Sequence, residues 1–330
     1  MTNERYLVLS TFKNEGPFVL EWIAYHKSIG FDDFLIYTND CDDGTDRILD
    51  RLQELGHVQH RDNKRRGHQR PSPQARAYRK ALREPIYTKA DWVAIIDSDE
   101  FVNIHVGEGR IRDLTAAVNG ANAISLTWRL FGCANQTNYR RGFLTETFIR
   151  AAPKNCPRPP QAWGLKTIFR REAFEGLGVH RPRTPTAGDW GNIRWVNGGG
   201  VLMPEYYHTR HWRSNRNTYS YELAQINHYA TRFRESFLVK QARGRAFGGF
   251  DLDLDYWNKM DRNEKRDKTI LSKLPNAHKI YDELLADTIL SDLHIDACEW
   301  HSREIARLRE ETASADLLAS LVPEFEGATE

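Results

Sequence analysis

The chain predicts an α/β fold, a mostly parallel sheet flanked by helices, followed by a helical C-terminal extension. Three observations carry this. Short apolar runs rich in β-formers, Tyr6-Leu7-Val8-Leu9, Phe34-Leu35-Ile36-Tyr37 and Trp92-Val93-Ala94-Ile95-Ile96, stand as candidate strands. The first two strands are separated, and the second followed, by segments of helical period, the pattern that parallel strands need for their crossovers. Beyond about residue 250 the chain becomes charged and helical in period.

Each element follows in order. Behind the first strand Phe18, Val19, Trp22, Ile23 and Ile29 recur at helical spacing, with Pro17 to open the helix and Gly30 to close it. After the second strand Ile48, Leu49, Leu52 and Leu55 line one face of another helix, ended by Gly56. The third run is a buried strand that ends on Asp97-Ser98-Asp99-Glu100. Farther on, Trp, Tyr, Arg, Gly and Pro are frequent. Ala123-Ile124-Ser125-Leu126-Thr127-Trp128 and Lys166-Thr167-Ile168-Phe169 still read as strands, and Asn155 to Pro160 and Arg181 to Gly191 as loops. The last region carries apolar stripes through Leu284, Leu285, Ile289, Leu290, Ile305 and Leu308, and Glu324 to Glu330 reads as frayed.

A chain of 330 residues can bury a full core, and its formal net charge of +2 gives no general reason to bind nucleic acid. The four cysteines, Cys41, Cys133, Cys156 and Cys298, form no Cys-x-x-Cys pair; reduced thiols are the simplest reading and a structural zinc site is disfavoured. No apolar run is long enough to span a bilayer, and Met1-Thr2-Asn3-Glu4-Arg5 is no signal peptide, so the expected location is cytoplasmic. A basic stretch runs through Arg61, Lys64, Arg65, Arg66, Arg70, Arg76, Arg79, Lys80 and Arg83. It suits a diphosphate, an anionic acceptor, peripheral contact at the inner membrane face, or a solvated helix face.

The sharpest chemical signal is the pair Asp97 and Asp99. Two carboxylates one residue apart at the end of a buried strand repel each other and lose hydration unless a cation or substrate meets them. A divalent ion held by oxygen ligands, itself carrying a nucleotide diphosphate, resolves both problems. In open α/β sheets ligands bind at the carboxyl ends of the strands, where this pair falls. A solvated surface turn is the plain alternative.

Further blocks surround it in order: Lys13-Asn14-Glu15, Glu21-Trp22-Ile23-Ala24-Tyr25-His26, Asp43-Gly44-Thr45, Asp97-Ser98-Asp99-Glu100-Phe101, Trp128-Arg129-Leu130-Phe131-Gly132, Asn227-His228-Tyr229 and Lys240-Gln241-Ala242-Arg243-Gly244. Over about residues 5 to 245 the chain resembles a bacterial family-two-like glycosyltransferase group. The resemblance implies a GT-A (Rossmann-like) fold, a nucleotide-diphosphate sugar donor and Mn²⁺ or Mg²⁺. It implies a glycosyltransferase domain over 1–250, with a nucleotide-binding half 1–105 and an acceptor-binding half 106–250, and an extension 251–330. The implied acceptor is a hydroxyl of a carbohydrate or glycolipid, as in surface polysaccharides; homo-oligomerisation is left open.

Residue roles follow from the same resemblance. Lys13, Asn14 and Glu15 face the nucleotide base, and Asn39 and Asp43 take nucleoside contacts because Thr38 stands where many relatives carry an Asp. Gln74 opens the helix before the Asp-x-Asp strand, and Arg243 offers a fork for phosphate. Asp97 shares ribose and metal duties, Asp99 is the direct metal ligand, and His228 completes the shell ahead of His208 or His211. An inverting transfer needs an Asp or Glu base; Glu146 and Asp189 are the candidates, with a retaining route open if neither serves. Trp163, Trp190 and Trp195, in Pro- and Gly-rich loops, are core residues or sugar-stacking faces. Two other readings stand beside this one: a metal-dependent nucleotidyltransferase, whose Gly-rich phosphate loop Asn14-Glu15-Gly16-Pro17 does not supply, and a non-catalytic carbohydrate- or nucleotide-binding module.

Overall fold

The computed structural model describes residues 4–64, 72–244 and 252–321. The first half of the chain runs β1 (Tyr6–Phe12), α1 (Gly16–Ser28), β2 (Asp33–Thr38), α2 (Thr45–Glu54), β3 (Gln59–Asp62), α3 (Pro73–Ala81), α4 (Pro85–Thr88), β4 (Trp92–Ile95), β5 (Glu100–Ile104), α5 (Ile111–Ala117) and β6 (Ala123–Leu130). Shorter pieces follow: α6 (Leu144–Thr147), β7 (Arg150–Ala151), β8 (Leu165–Arg170), β9 (Phe174–Gly176), β10 (Arg183–Pro185), β11 (Trp195–Asn197) and β12 (Ala224–His228). The chain then turns helical through α7 (Arg234–Arg243), α8 (Leu254–Met260), α9 (Leu274–Leu285), α10 (Thr288–Arg309) and α11 (Thr312–Ser320), with β13 (Lys265–Arg266) between α8 and α9.

The main sheet has nine strands in the order β3-β2-β1-β4-β8-β6-β12-β5, with β11 beside β6. The strands β3, β2, β1 and β4 are parallel, and β8 enters antiparallel between β4 and β6. The amino half of β6 pairs with β8 and β11, its carboxyl end with β12, so the sheet branches and curls at this strand. Alternate residues of β1, β2 and β4 enter two different cores: Tyr6, Val8, Phe34, Ile36 and Ala94 on one face, Leu7, Leu9, Leu35, Tyr37 and Val93 on the other. That is the two-residue period of a sheet covered on both sides, and it explains why these strands read as continuous apolar runs.

Helix α1 is buried around almost its whole circumference, from Phe18 to His26. It lies between the sheet and the C-terminal helices α9 and α10. At Gly16 a Cβ would come within 2.6 Å of the Ala297 side chain, so the absence of a side chain there sets how closely α10 approaches α1. Leu284, Leu290 and Ala297 belong to the same core as α1 and the sheet, and Arg51 on α2 pairs with Asp287 at 2.6 Å. The helical run begins at α7, before residue 250, and the C-terminal helices share one core with the sheet. The boundary expected there, and the expectations made for Arg65, Arg66, Arg70 and Glu324 to Glu330, lie outside the described residues. All four cysteines are free thiols, and among the described residues no helix is long and apolar enough to cross a membrane.

Candidate active site

The candidate site is built at the carboxyl ends of β1, β4 and β12. After β4 the chain turns through Asp97, Ser98 and Asp99 into β5. The Trp22 indole N–H donates to the carbonyls of Asp97 (3.1 Å) and Glu100 (3.0 Å), the Asp97 amide donates to the Glu100 carboxylate (2.8 Å), and the Ser10 hydroxyl donates to the Ile96 carbonyl (2.6 Å). His228, the last residue of β12, stands opposite Glu100 in antiparallel register. That register brings its Nε2 to 3.6 Å from Asp99 Oδ1.

Each aspartate also meets a lysine. Lys166 of β8, fully buried, holds Asp97 Oδ2 at 2.8 Å and stands 3.4 Å from Glu100, while the Gln74 amide donates to Asp97 Oδ1 at 3.2 Å. Lys240 of α7 donates to Asp99 Oδ2 at 2.7 Å. Burial alone would raise the Asp99 pKa, but the Lys240 and His228 charges outweigh it and hold the group well below the usual carboxylate range. Glu100, enclosed beneath the turn, is pushed up to about 8 by burial, a rise that Lys166 moderates and the two aspartates reinforce.

A second buried cluster stands beside the first. The Glu15 carboxylate takes Arg232 at 2.7 Å and Arg243 at 2.5 Å. Burial would raise its pKa, but the two guanidinium charges bring it down to about 2. Arg243 also donates to the carbonyls of Lys13 and Asn14, and Arg232 to that of Ser98 at 3.3 Å. The cluster clamps the exit of β1 to the Asp97–Asp99 turn and to the start and end of α7.

These residues line a cleft of about 690 Å³. Lys13, Glu15, Gln74, Asp97, Asp99, His228 and Arg243 are all on its wall. Asn14, Asn39 and Asp43 are not. Asn14 accepts the Asp42 amide at 2.9 Å, and Asp43 accepts the Gly16 and Thr45 amides at 2.7 and 2.9 Å, so these two brace the loops behind the cleft. Glu15 and Arg243 pair with each other on the cleft wall. The two candidate bases stand outside: Glu146 is an exposed partner of His278 (2.8 Å), and Asp189 is exposed and accepts the Gly191 amide of its own loop. Of the basic stretch, Arg61 pairs with Glu84 and Lys80 with Asn63, away from the cleft.

The structure adds groups to which the sequence reading gave no role. Lys166 stood in plain view as a lysine inside an apolar strand, which demands a buried carboxylate partner. Trp128, Trp212, His180 and His228 form an aromatic wall: the Trp212 and His180 rings stack at 4.8 Å, and the Trp128 and His228 centroids are 4.4 Å apart. A Cβ on Gly164 would fall 2.1 Å from the Trp128 ring, so that ring needs a glycine behind it. Trp190 and Trp195 instead stack on each other and on His208, outside the cleft.

Among the described residues no three His, Cys, Asp or Glu side chains form a metal cage. Lys166 and Gln74 each bond one Asp97 oxygen and Lys240 bonds Asp99 Oδ2, which leaves Asp99 Oδ1 facing His228 Nε2 at 3.6 Å. A carboxylate oxygen and an imidazole nitrogen are donors a divalent ion such as Mn²⁺ accepts, and would fill two of the six positions of an octahedral shell.

The sequence matches the family model of Glycosyltransferase family 92 over residues 10–243. The chain belongs to glycosyltransferase family 92. The resemblance was thus right in naming a glycosyltransferase, but the family shown is 92, where a family-two-like group was expected. The α/β architecture, a largely parallel sheet flanked by helices with a helical C-terminal region, is the fold class that the sequence led us to expect. Comparison with curated sequences gives no match. Among solved structures, TarS of S. aureus aligns at 15% identity and a TM-score of 0.33, covering 51% of this chain and 29% of that one. A shorter TarS form, residues 1–349, in complex with UDP-GlcNAc aligns at 15% identity and 0.33, covering 51% and 46%. HddC of Yersinia pseudotuberculosis aligns at 12% identity and 0.30, covering 52% and 79%. The chain thus spans less than half the length of the TarS structures it matches, and likeness at this level does not bear on donor or acceptor.

Proposed function

We propose that the protein transfers a sugar from a nucleotide-diphosphate donor to a hydroxyl of a carbohydrate or glycolipid acceptor. The observation that most supports this is the Asp97–Asp99 turn of a family 92 chain, held at the strand ends with a lysine on each carboxylate. The turn is charged and lines the cleft.

Asp99 and His228 would hold a Mn²⁺ or Mg²⁺ ion. Such an ion supplies electrostatic stabilisation to a departing diphosphate. Lys13 and Lys240, both on the cleft wall, add positive charge near the phosphates. Asp97, fixed by Lys166 and Gln74 but still partly exposed, would use its remaining lone pairs to accept hydrogen bonds from ribose hydroxyls. The aromatic wall of Trp128, Trp212 and His180 offers apolar faces to a sugar ring and keeps water from one side of the cleft.

The test is release of nucleoside diphosphate from a panel of UDP-, GDP- and dTDP-sugars by the full chain in Mn²⁺. We expect turnover of at least one donor and its loss in Asp99→Ala at unchanged secondary structure. Failure to bind or turn over any donor, with or without metal and carbohydrate acceptors, would overturn the proposal.

A further inference from the structure

The short 3-10 turn Pro160–Trp163 divides two concavities. On one side Gln161 lines the catalytic cleft; on the other Pro160 and Trp163 line a second groove of about 530 Å³. The opposite wall is shared in the same way, with Trp212 facing the cleft and Arg213 the groove. A β-bridge between Gly164 and Arg213 ties the two walls together, so cleft and groove adjoin over one piece of backbone.

The groove combines aromatic faces with hydrogen-bonding groups and, among the described residues, has no carboxylate in its lining. Tyr206 keeps 41% of its surface exposed, and Asn215 holds its hydroxyl at 2.8 Å, so the ring is presented in a fixed orientation. His211, a non-glycine residue at φ +66°, sits edge-on to that ring at 5.0 Å. A side chain held in the left-handed region at a surface concavity is the kind of local strain that marks binding sites. Trp163 stacks on Tyr219 at 4.9 Å, and its buried indole N–H has no partner among the described residues. Buried donors without partners are rare unless a ligand or water completes them. Ring faces for C–H surfaces, with tyrosine, serine, asparagine and arginine groups for hydroxyls, are what a saccharide requires.

We propose that this groove holds the acceptor glycan, specifically the sugar units behind the one that receives the transferred residue. The inference rests on the transferase reading of the cleft, because continuity with that cleft selects an extended saccharide as the occupant. Tyr206 is the chosen probe because it is exposed and its removal leaves the core intact.

Wild type and Tyr206→Ala, both as full chains, are to be compared on an array of immobilised oligosaccharides with the matching monosaccharides as controls. Nucleoside diphosphate affinity and Mn²⁺-dependent donor hydrolysis are measured in parallel. We expect wild type to retain at least one oligosaccharide and no monosaccharide, and Tyr206→Ala to bind it about tenfold more weakly. Donor affinity and hydrolysis should be unchanged. An array on which wild type binds no oligosaccharide, or on which Tyr206→Ala binds as well as wild type, overturns the groove whether or not the donor is turned over. Glycan binding lost in Tyr206→Ala, in a protein that turns over no donor, keeps the groove and removes the transferase reading.

Discussion

At the level of single residues, the site is a set of buried charges that neutralise one another before substrate arrives. His228 should act through its Nε2, which faces Asp99. Replacing it with alanine should raise the Mn²⁺ concentration for half-maximal activity by about tenfold or more; unchanged metal dependence would return His228 to a packing role against Trp128. Glu15 makes a different prediction. Its folded pKa, about 2, lies below the ordinary carboxylate value of 4.5. Its contribution to stability is therefore fully present above pH 4.5 and lost as the pH falls toward 2. Glu15→Gln leaves the buried Arg232 and the partly buried Arg243 without their counter-charge and should cost about 3–5 kcal/mol at neutral pH. Denaturant unfolding at a series of pH values should show the variant losing less stability than wild type between pH 4.5 and 2. Parallel curves would contradict the assignment. The sequence pointed to Asp97, Asp99 and His228 because a strand end and motif order single them out. It did not reveal that Glu15 and Arg243 bind each other, since their pairing crosses more than two hundred residues.

Among the elements, α1 carries the most structural consequence. Its Trp22 holds the Asp97–Asp99 turn, and its Glu21 accepts the amides of Leu144 and Thr145 at 2.7 and 3.0 Å, fixing the start of α6. Its amino end touches α10 at Gly16. Gly16→Ala should destabilise by about 1–3 kcal/mol through overpacking, and Ala297→Gly in the same chain should recover part of that loss. A double-mutant cycle with no coupling would show that α10 does not lie where the structure places it. The helical period and end signals of α1 were readable from Phe18, Trp22, Ile23, Pro17 and Gly30. Its burial on all sides was not foreseen, since the spacing of those residues marks one apolar face and Glu21 and His26 are also buried. What covered the helix was not foreseen either, because a stripe such as Leu284, Leu290 and Ile305 names no partner.

For the whole molecule, alternating strands and helices before residue 105 made the parallel half of the sheet legible, and the charged helical period made the C-terminal region legible. The branching at β6 was hidden, since one apolar run cannot show that its two ends pair with different strands. The positions of Glu146 and Asp189 were hidden for a related reason: an acidic residue in a loop gives no sign of which way the loop folds. The central claim is that the Asp97–Asp99 turn with His228 forms a nucleotide-diphosphate site that a metal ion completes. Calorimetric titration of nucleoside diphosphates into wild type and Asp99→Ala, with and without Mn²⁺, addresses it directly. We expect one nucleoside diphosphate to bind wild type at least tenfold more tightly in Mn²⁺ than without it, and Asp99→Ala to lose that enhancement while remaining folded. Equal affinity in the two proteins in Mn²⁺ would contradict the claim.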